Sequence, residues 1–504
     1  MKRKFFYLTI FFFFSLVFAE NTSFQGLYRY KLENGLELFV AENNSAPLVY
    51  IEIAVRAGAV TQTPQNAGLF HLYEHMMFKG NAKYENQDAF TDAANEMGRI
   101  GENGTTGIDR VNYFFTVPSS QLRNGLEFWS YAVRTPRLDA HELENEKSVV
   151  LSEINADFTD PGHIRSAAIF KTMFPSCPWM LDPSGSPSVI RSATPEDLRE
   201  IQRRYYIPAN SAIFVGGDVR HDEVYSFVKE IYSDWKNPGH PVSSEFSPDK
   251  NPLPSDKKMV FVNPGSSGDM IEAAYYLRGP DGELDADDTY AADVWISLMG
   301  SPSSVFARTF TSEKALSIPE SDYVSVSYPT RRLTGLLGFY GLMLNDSDSR
   351  PETNFAFGNF DIFDNESLNP VEKADYFLEV FKEKAVPRMT DKNILFDGQE
   401  ISSVIRLLED SRIYELESAK SILASLSYFW STCGPDYFFT YDKNISNVSE
   451  DDVVAFVEKY IKNRSGAFVV SVSPGIWEEY GNLFLDSGYE RISAENAFWQ
   501  NDMN

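Results

Sequence analysis

Residues 69–78 read LFHLYEHMMF, a stretch that is predicted to be a helix carrying a metal site. His71 and His75 are four residues apart, which separates them by about 40° around a helix axis, so both imidazoles can converge on one ion. Glu74 lies on the flank of the same face, where it can act as a general base toward a water molecule. Paired histidines can also be ordinary packed residues. With only 6 histidines in the chain, however, this spacing arises by chance in roughly one sequence in a hundred.

A catalytic zinc ion takes three protein ligands and keeps one position open, so the two histidines need a further donor. Glu153 is the predicted third ligand, in a predicted helix over residues 141–158. Glu146 lies seven residues earlier, close to the same helix face after two turns, and is predicted to orient a histidine ligand. A glutamate-rich helix more often presents a solvated face, so these two residues are less specific than the histidine pair.

The length of 504 residues exceeds one ordinary core, and at least two domains are expected. A hydrophobic content of 43% excludes a disordered chain. Residues 241–258 are rich in Pro, Ser and Asp without apolar periodicity, which is typical of a linker. The predicted domains are therefore a zinc-binding domain of residues 20–240 and a second, related domain of residues 259–504.

The pattern of apolar residues predicts α+β structure in both halves. Strands are predicted at residues 28–40, 48–55, 110–117, 212–217, 259–262, 273–276, 336–344 and 466–472. Further helices are predicted at residues 195–206, 225–235, 371–384, 418–429 and 453–461. Thr194 is the predicted N-cap of the helix that starts at Pro195. The acidic residues 345–369 are predicted to be a solvated surface insertion.

The first 19 residues are predicted to be a signal peptide, because Lys2, Arg3 and Lys4 precede an apolar run and Ala19 suits cleavage. The alternative is an uncleaved anchor, although the run is short of the roughly 20 residues that span a bilayer. No later segment is apolar enough to span. We therefore expect an exported protein, periplasmic or extracellular.

The formal charge of −27, which would become −30 without the three basic residues of the signal, disfavours nucleic acid as a partner. This charge suits solubility, and it also suits a cavity that favours basic or neutral peptides. Export implies an oxidising compartment, yet Cys177 and Cys433 are the only two cysteines. Whether these two pair with each other or stay as separate thiols is left open by the sequence.

The motif and its surroundings resemble the pitrilysin, insulysin and mitochondrial processing peptidase family of inverted-motif zinc peptidases. The resemblance includes the residues Gly68-Leu69-Phe70 before the motif and Met76-Met77-Phe78-Lys79-Gly80 after it. Glu146 and Glu153 fall where the family has its supporting glutamate and its third zinc ligand. The resemblance implies two related domains, each a mostly antiparallel sheet packed with helices, that form half of a clam-like peptidase chamber.

Residues 101–117 are similar to the edge strand with which this family binds an extended peptide by backbone pairing. The resemblance places Asn103 near the scissile bond and Gly104 beside it, although alanine is usual at the latter position. Residues 205–210 and 216–218 resemble the closing motif of the family's catalytic domain, which is structural in role.

The second half departs from the family at an Arg and a Tyr, seven residues apart, that hold the substrate and the oxyanion. Thr311 and Ile318 stand at those two positions, and neither side chain can do that work. Arg308 and Tyr323 would substitute under another alignment. The resemblance therefore implies a homodimer or a heterodimer in which a second pitrilysin-like subunit supplies the Arg and Tyr.

The function predicted from these residues is that of a Zn²⁺-dependent endopeptidase acting on short peptides or unfolded segments. His71, His75 and Glu153 would hold the metal, and Glu74 would activate the attacking water. The alternative is a noncatalytic subunit of the same family that binds peptides or serves assembly, against which the intact Glu74 argues. A surface-anchored peptide-binding protein would agree with the signal segment and leave the histidines unexplained.

Overall fold

The computed structural model describes residues 20–21, 26–238, 253–266, 268, 270–345, 368–398, 400–415 and 417–503. These residues form a seven-stranded sheet in the first half and a six-stranded sheet in the second. The predicted signal peptide of residues 1–19, most of the predicted linker and most of the acidic insertion lie outside the described residues. The domain boundaries therefore stay a prediction.

The strands are β1 (Glu20–Asn21), β2 (Leu27–Lys31), β3 (Glu37–Glu42), β4 (Leu48–Val55), β5 (Ile100–Thr106), β6 (Val111–Pro118), β7 (Ser211–Gly217), β8 (Lys257–Val262), β9 (Met270–Arg278), β10 (Val324–Ser327), β11 (Leu336–Leu344), β12 (Ala467–Val472) and β13 (Glu490–Ile492).

The helices of the first half are α1 (Leu69–Met77), α2 (Gln87–Glu96), α3 (Leu122–Arg134), α4 (Ala140–Asp157), α5 (Pro161–Met173), α6 (Pro187–Ser192), α7 (Pro195–Tyr205) and α8 (His221–Tyr232). Those of the second half are α9 (Ala286–Met299), α10 (Val305–Ser312), α11 (Pro370–Val380), α12 (Val386–Thr390), α13 (Lys392–Leu395), α14 (Ile401–Glu415), α15 (Ala419–Thr432), α16 (Pro435–Ile445), α17 (Glu450–Tyr460), α18 (Pro474–Asp486) and α19 (Ala494–Ala497).

The two sheets share one topology. The first has the order β1-β2-β3-β7-β4-β6-β5 and the second the order β13-β8-β12-β9-β11-β10. Strand β3 is parallel to β7 as β8 is parallel to β12, and the remaining three pairings of the shared five strands are antiparallel in both halves. Two related, mostly antiparallel sheets packed with helices are thus confirmed. In this correspondence α9 occupies the place of α1, and α15 that of α5.

Each sheet has its own helices on one face and a helix of the other half on the opposite face. The outer face of the first sheet packs against Leu423, Leu426 and Trp430 of α15. The corresponding face of the second sheet packs against Ala168 and Ile169 of α5. Because this exchange buries apolar surface from both halves, it holds the two sheets in one molecule.

Most of the predicted elements are present, several with ends displaced by a few residues. Thr194 caps α7 through a reciprocal hydrogen-bonded box with Asp197, as predicted for this helix. The prediction of one strand over residues 28–40 was wrong in one respect, because this segment forms two antiparallel strands, β2 and β3, joined by a turn. Its turn contains Asn34 and Gly35, and the φ of +92° at Gly35 requires a glycine-like conformation. The helix predicted over residues 225–235 begins earlier, at His221, and ends at Tyr232.

Both cysteines lie among the described residues, and no disulfide joins them. Cys177 is buried in the cluster under α5, whereas Cys433 is half-buried at the second core. Within the described parts of the chain, no helix combines the length and the apolar character that a membrane span requires.

Candidate metal centre

Helix α1 presents its polar residues outward because its other side is buried in the first core. Its buried residues are Leu69, Phe70, Leu72, Tyr73, Met76 and Met77. Gly68 is the N-cap of this helix, has a φ of +95° and donates its backbone N–H to the Gln62 side chain at 2.6 Å. A Cβ on Gly185 would lie 2.2 Å from the Gly68 Cα atom, so this close approach of two backbones also requires glycine.

His71, His75 and Glu153 form a group of potential metal ligands between α1 and α4. The Nε2 atoms of the two histidines are 3.2 Å apart. The Oε2 atom of Glu153 lies 3.4 Å from each of these two nitrogens. The three residues that the sequence proposed as ligands therefore place one donor atom each around a common point.

The spacing of these three donors fits a zinc ion. Bonds of about 2.1 Å in tetrahedral geometry separate neighbouring ligand atoms by about 3.4 Å. The observed separations of 3.2, 3.4 and 3.4 Å agree with that value. Two imidazole nitrogens and one carboxylate oxygen also match the donor types of catalytic zinc, with a fourth position left open. The side chain of Glu153 is 47% exposed, so solvent reaches the group of three donors at this residue.

Glu146 holds the other side of the His75 ring. Its Oε2 atom lies 3.1 Å from His75 Nδ1, and its Oε1 atom lies 2.6 Å from Lys79 Nζ. Burial alone would raise the pKa of Glu146, but the hydrogen bonds from His75 and Lys79 lower it below its ordinary value. An ionised Glu146 accepts a hydrogen bond from the Nδ1–H group of His75 and thereby leaves Nε2 as the lone-pair donor.

The two histidines differ in their electrostatic surroundings. Burial, reinforced by the charge of His75, lowers the pKa of His71 to about 4. Burial also acts to lower the pKa of His75, but the hydrogen bond to Glu146 and the charge of Glu153 outweigh it and raise that pKa. Among the described residues His71 Nδ1 is buried without a hydrogen-bond partner. His71 is therefore neutral near pH 7, as metal ligation requires.

Glu74 leans from α1 against the edge strand β5. Its Oε2 atom accepts a hydrogen bond from the Thr106 hydroxyl at 3.1 Å. A Cβ on Gly104 would lie 2.7 Å from Glu74 Oε1 and 3.0 Å from the Phe78 ring, so the missing methyl group leaves space for this carboxylate. Burial raises the pKa of Glu74, and the charge of Glu153 acts in the same direction. A carboxylate with a raised pKa is suited to proton transfer near neutral pH.

Strand β5 is at the free edge of the first sheet, next to β6. Because side chains alternate along a strand, Thr106 faces α1 whereas Asn103 and Thr105 point to the opposite face. Asn103 is exposed and does not enter the histidine group. Its predicted part in substrate binding, like that of Gly104, stays a prediction. The contact of Thr106 with Glu74 was not predicted, since the packing of α1 on β5 brings together residues 32 positions apart.

The residues that are predicted to stand at the family's Arg and Tyr positions lie in the second half. Thr311 donates its hydroxyl to the Ala307 carbonyl of its own helix, and Ile318 is buried in the second core. Arg308 is half-exposed and pairs with Asp397 at 3.6 Å, whereas Tyr323 packs at the edge of that core.

The fold and this cluster define a metallopeptidase-like protein, and the similarity to known proteins is specific. The family described as "Insulinase (Peptidase family M16)" matches residues 38–177, and "Peptidase M16 inactive domain" matches residues 192–353. The chain belongs to this insulinase family, the inverted-motif group that the sequence resembles. The zinc protease PqqE of Helicobacter pylori is 25% identical over 208 residues, which cover 41% of this chain and 46% of that protein. The chain spans less than half the length of this and the next curated relatives.

Solved structures show the same fold over nearly the whole chain. A protease from Helicobacter pylori superposes with a TM-score of 0.69 at 18% identity and covers 91% of this chain and 100% of its own. The periplasmic protease PqqL from Escherichia coli has a TM-score of 0.70 at 15% identity, covering 92% of this chain and 49% of its own. The present two-sheet unit thus corresponds to about half of that larger protein.

Proposed function

We propose that this chain is a zinc-dependent endopeptidase that cleaves peptides or unfolded segments. The observation that carries the proposal is the convergence of His71, His75 and Glu153 within 3.2 to 3.4 Å of one another, with Glu74 beside them. The zinc proteases among its relatives agree with this assignment. In this proposal residues 20–240 form the zinc-binding domain, residues 241–258 the linker and residues 259–504 the noncatalytic domain.

The residues divide the chemistry between them. His71, His75 and Glu153 would hold Zn²⁺, which when bound would polarise the scissile carbonyl and make a neighbouring water more acidic. Glu74 accepts a proton from the attacking water and later gives it to the leaving amine. Thr106 fixes the carboxylate of Glu74 by its hydrogen bond. The free edge of β5 offers backbone groups that can pair with an extended peptide.

The proposal includes export and a partner subunit. The apolar start of the sequence supports export, and PqqL, which has the same fold, is a periplasmic protease. Thr311 and Ile318 leave this chain without the family's Arg and Tyr, and we assign that pair to a second pitrilysin-like subunit. If the chain alone, as a monomer or homodimer, cleaves peptides as fast as with any candidate subunit, the assignment to an unlike partner is wrong.

The test combines metal analysis with cleavage of an unstructured peptide by the native chain, alone and mixed with candidate partner chains. Glu74→Gln should keep about one zinc per chain and lower kcat at least about a hundredfold, because it removes the proton acceptor. Glu142→Gln is the matched control, since Glu142 is a half-exposed residue in the first turn of α4 and does not belong to the group of potential ligands. It should change neither zinc content nor rate.

Two outcomes would overturn the proposal. Full activity in Glu74→Gln would refute the role of this carboxylate. Zinc-loaded native protein that binds the peptide but cleaves nothing, with or without the partners, would instead support the noncatalytic alternative. The absence of Arg and Tyr at positions 311 and 318 is the observation that keeps this alternative in view.

A further inference from the structure

Strand β4 contains a fully buried carboxylate outside the metal centre. Glu52 has no exposed surface and lies on the sheet face that α15 covers. Its Oε1 atom accepts hydrogen bonds from the Ser427 hydroxyl at 2.6 Å and from Asn112 Nδ2 at 2.8 Å. Its Oε2 atom accepts one from the Tyr50 hydroxyl at 2.8 Å. Three donors converge on this group, so both of its oxygens act as acceptors.

The hydrogen bonds continue from Glu52 to the edge strand. Because Asn112 uses its amide N–H for Glu52, its Oδ1 atom is left as an acceptor, and the Thr105 hydroxyl donates to it. Asn112 is itself buried, and Thr105 pairs with it across β5 and β6. These hydrogen bonds form a chain with Glu52 in its interior. Ser427 of α15, in the second half, is the donor at one end, and Thr105 of β5 is the donor at the other.

Strand β5 needs such a constraint. It is an edge strand whose pairing with β6 is irregular between Ile100 and Asn103, and its outward residues Asn103 and Thr105 are exposed. Few buried side chains of its own fix its position, and such segments open locally at low cost. On its other face Thr106 holds Glu74, so the position of β5 also sets the position of that carboxylate.

We propose that Ser427, Glu52, Asn112 and Thr105 form a positioning relay through which α15 of the second half fixes β5 for peptide pairing. The inference rests on the proposed function, in which β5 pairs with a peptide substrate, but the hydrogen-bonded relay can be tested without measuring catalysis. Hydrogen bonds to a buried carboxylate are strong because the surroundings are weakly polar, so loss of one end loosens the strand. The second half thereby contributes to substrate binding without a residue at the metal centre.

The first experiment compares Ser427→Ala with Ser431→Ala in the full chain by hydrogen–deuterium exchange. Ser431 is also buried on α15, but its hydroxyl donates at 2.7 Å to the Tyr428 carbonyl of the same helix. Ser427→Ala should speed exchange of the segment 100–106 about tenfold, because removing a hydrogen bond to the buried Glu52 carboxyl group favours local opening. Ser431→Ala should leave that segment unchanged. Equal exchange in the two variants would overturn the relay.

The second experiment uses Thr105, an exposed residue whose substitution leaves the packed core intact. Thr105→Val removes the hydroxyl and keeps the branched shape, while Thr105→Ser keeps the hydroxyl. With an unstructured peptide substrate, Thr105→Val should raise KM about fivefold with kcat changed less than about twofold, and Thr105→Ser should restore the native KM. A native KM in Thr105→Val would refute the positioning role.

Failure of the proposed function can be distinguished from failure of the relay. If the native protein cleaves no peptide, the exchange experiment still reports whether Ser427 constrains β5. Binding of the same peptide to Glu74→Gln protein, followed by fluorescence anisotropy, then replaces KM as the readout. Weaker peptide binding by the double variant Glu74→Gln, Thr105→Val than by Glu74→Gln supports the relay, and equal binding overturns it.

Discussion

The two halves of the molecule share a sheet topology and differ in what the equivalent helices carry. In the first half α1 turns two histidines toward the carboxylates of α4 and Glu74 toward strand β5. In the second half α9 occupies the same place in the topology and reads ADDTYAADVWISLM, with no histidine. Its inward-facing acid, Asp293, accepts a hydrogen bond from the Tyr441 hydroxyl at 2.8 Å. One topology therefore carries a group of potential metal ligands on α1 in one half and no histidine on the equivalent helix in the other.

This difference shows that the shared sheet topology determines where the helices lie, while a few side chains on those helices determine the chemistry. Helix α1 keeps a polar side because α4 meets it with Glu146 and Glu153. Helix α9 is buried on most sides by the helices α14, α16 and α17, so its surroundings favour apolar residues. Substitutions around α1 in the first half should therefore change metal binding and activity, and substitutions around α9 in the second half should change stability alone.

The largest effect is expected from His71→Ala. Removing one of three ligands should reduce zinc from about one per chain to less than about a tenth and peptidase activity at least about a thousandfold. Metal analysis and peptide cleavage measure both. His141→Ala is the control, because the His141 side chain is 84% exposed at the start of α4. Stoichiometric zinc in His71→Ala would contradict the ligand assignment.

A smaller effect is expected from Glu146→Gln, which weakens the support of His75. Zinc affinity should fall about 10- to 100-fold, measured by competition with a chelator. Glu313→Gln is the matching change in the second half, where Glu313 pairs with Lys384 at 2.8 Å. It should leave zinc affinity as it is. If both variants bind zinc equally well, Glu146 does not support the metal centre.

Gly104→Ala tests the space beside Glu74. The new methyl group would lie 2.7 Å from Glu74 Oε1, so this flexible carboxylate must shift, and because alanine is usual at this position in the family we expect kcat to fall by no more than about threefold with zinc content unchanged. Gly107→Ala serves as the control, because the nearest atom to its Cβ would be 3.5 Å away. A larger fall in kcat for Gly104→Ala would show that Glu74 has no room to adjust.

Asp293→Asn should affect stability alone. Burial raises the pKa of Asp293 to about 6, so in the folded protein this acid ionises at higher pH than in the unfolded chain. Its contribution to stability therefore falls as the pH rises from about 4 through about 6. Asparagine does not ionise and therefore removes this loss of stability. The free energy of unfolding should increase by about 2 kcal/mol above about pH 6 and by less below about pH 4. Urea denaturation at several pH values measures the gain, and zinc content and peptidase activity should not change. A gain that is independent of pH would contradict the titration of this residue.

The sequence was informative where the contacts are local. His71, Glu74 and His75 lie within five residues, and the seven-residue spacing of Glu146 and Glu153 agrees with their common side of α4. Helix α9 was not predicted, because burial on most sides removes the apolar periodicity that marks a surface helix.

Long-range contacts were missed for a different reason. The bond between Glu52 and Ser427 joins residues 375 positions apart, and no local pattern encodes it. One signal was available, since Glu52 is a charged residue in the middle of the apolar strand LVYIEIAV. A carboxylate at such a position requires buried donors, and the search for them leads to Asn112 and Tyr50.

The reciprocal placement of α5 and α15 has a consequence for how the protein comes apart. Helix α5 of the first half covers the second sheet, and helix α15 of the second half covers the first sheet. A half produced on its own would therefore leave an apolar sheet face uncovered. Two separately made halves should instead recognise each other and assemble, as fragments of one protein do. The peptide connection between them then serves mainly to raise their effective concentration, and the unity of the molecule comes from the exchanged helices.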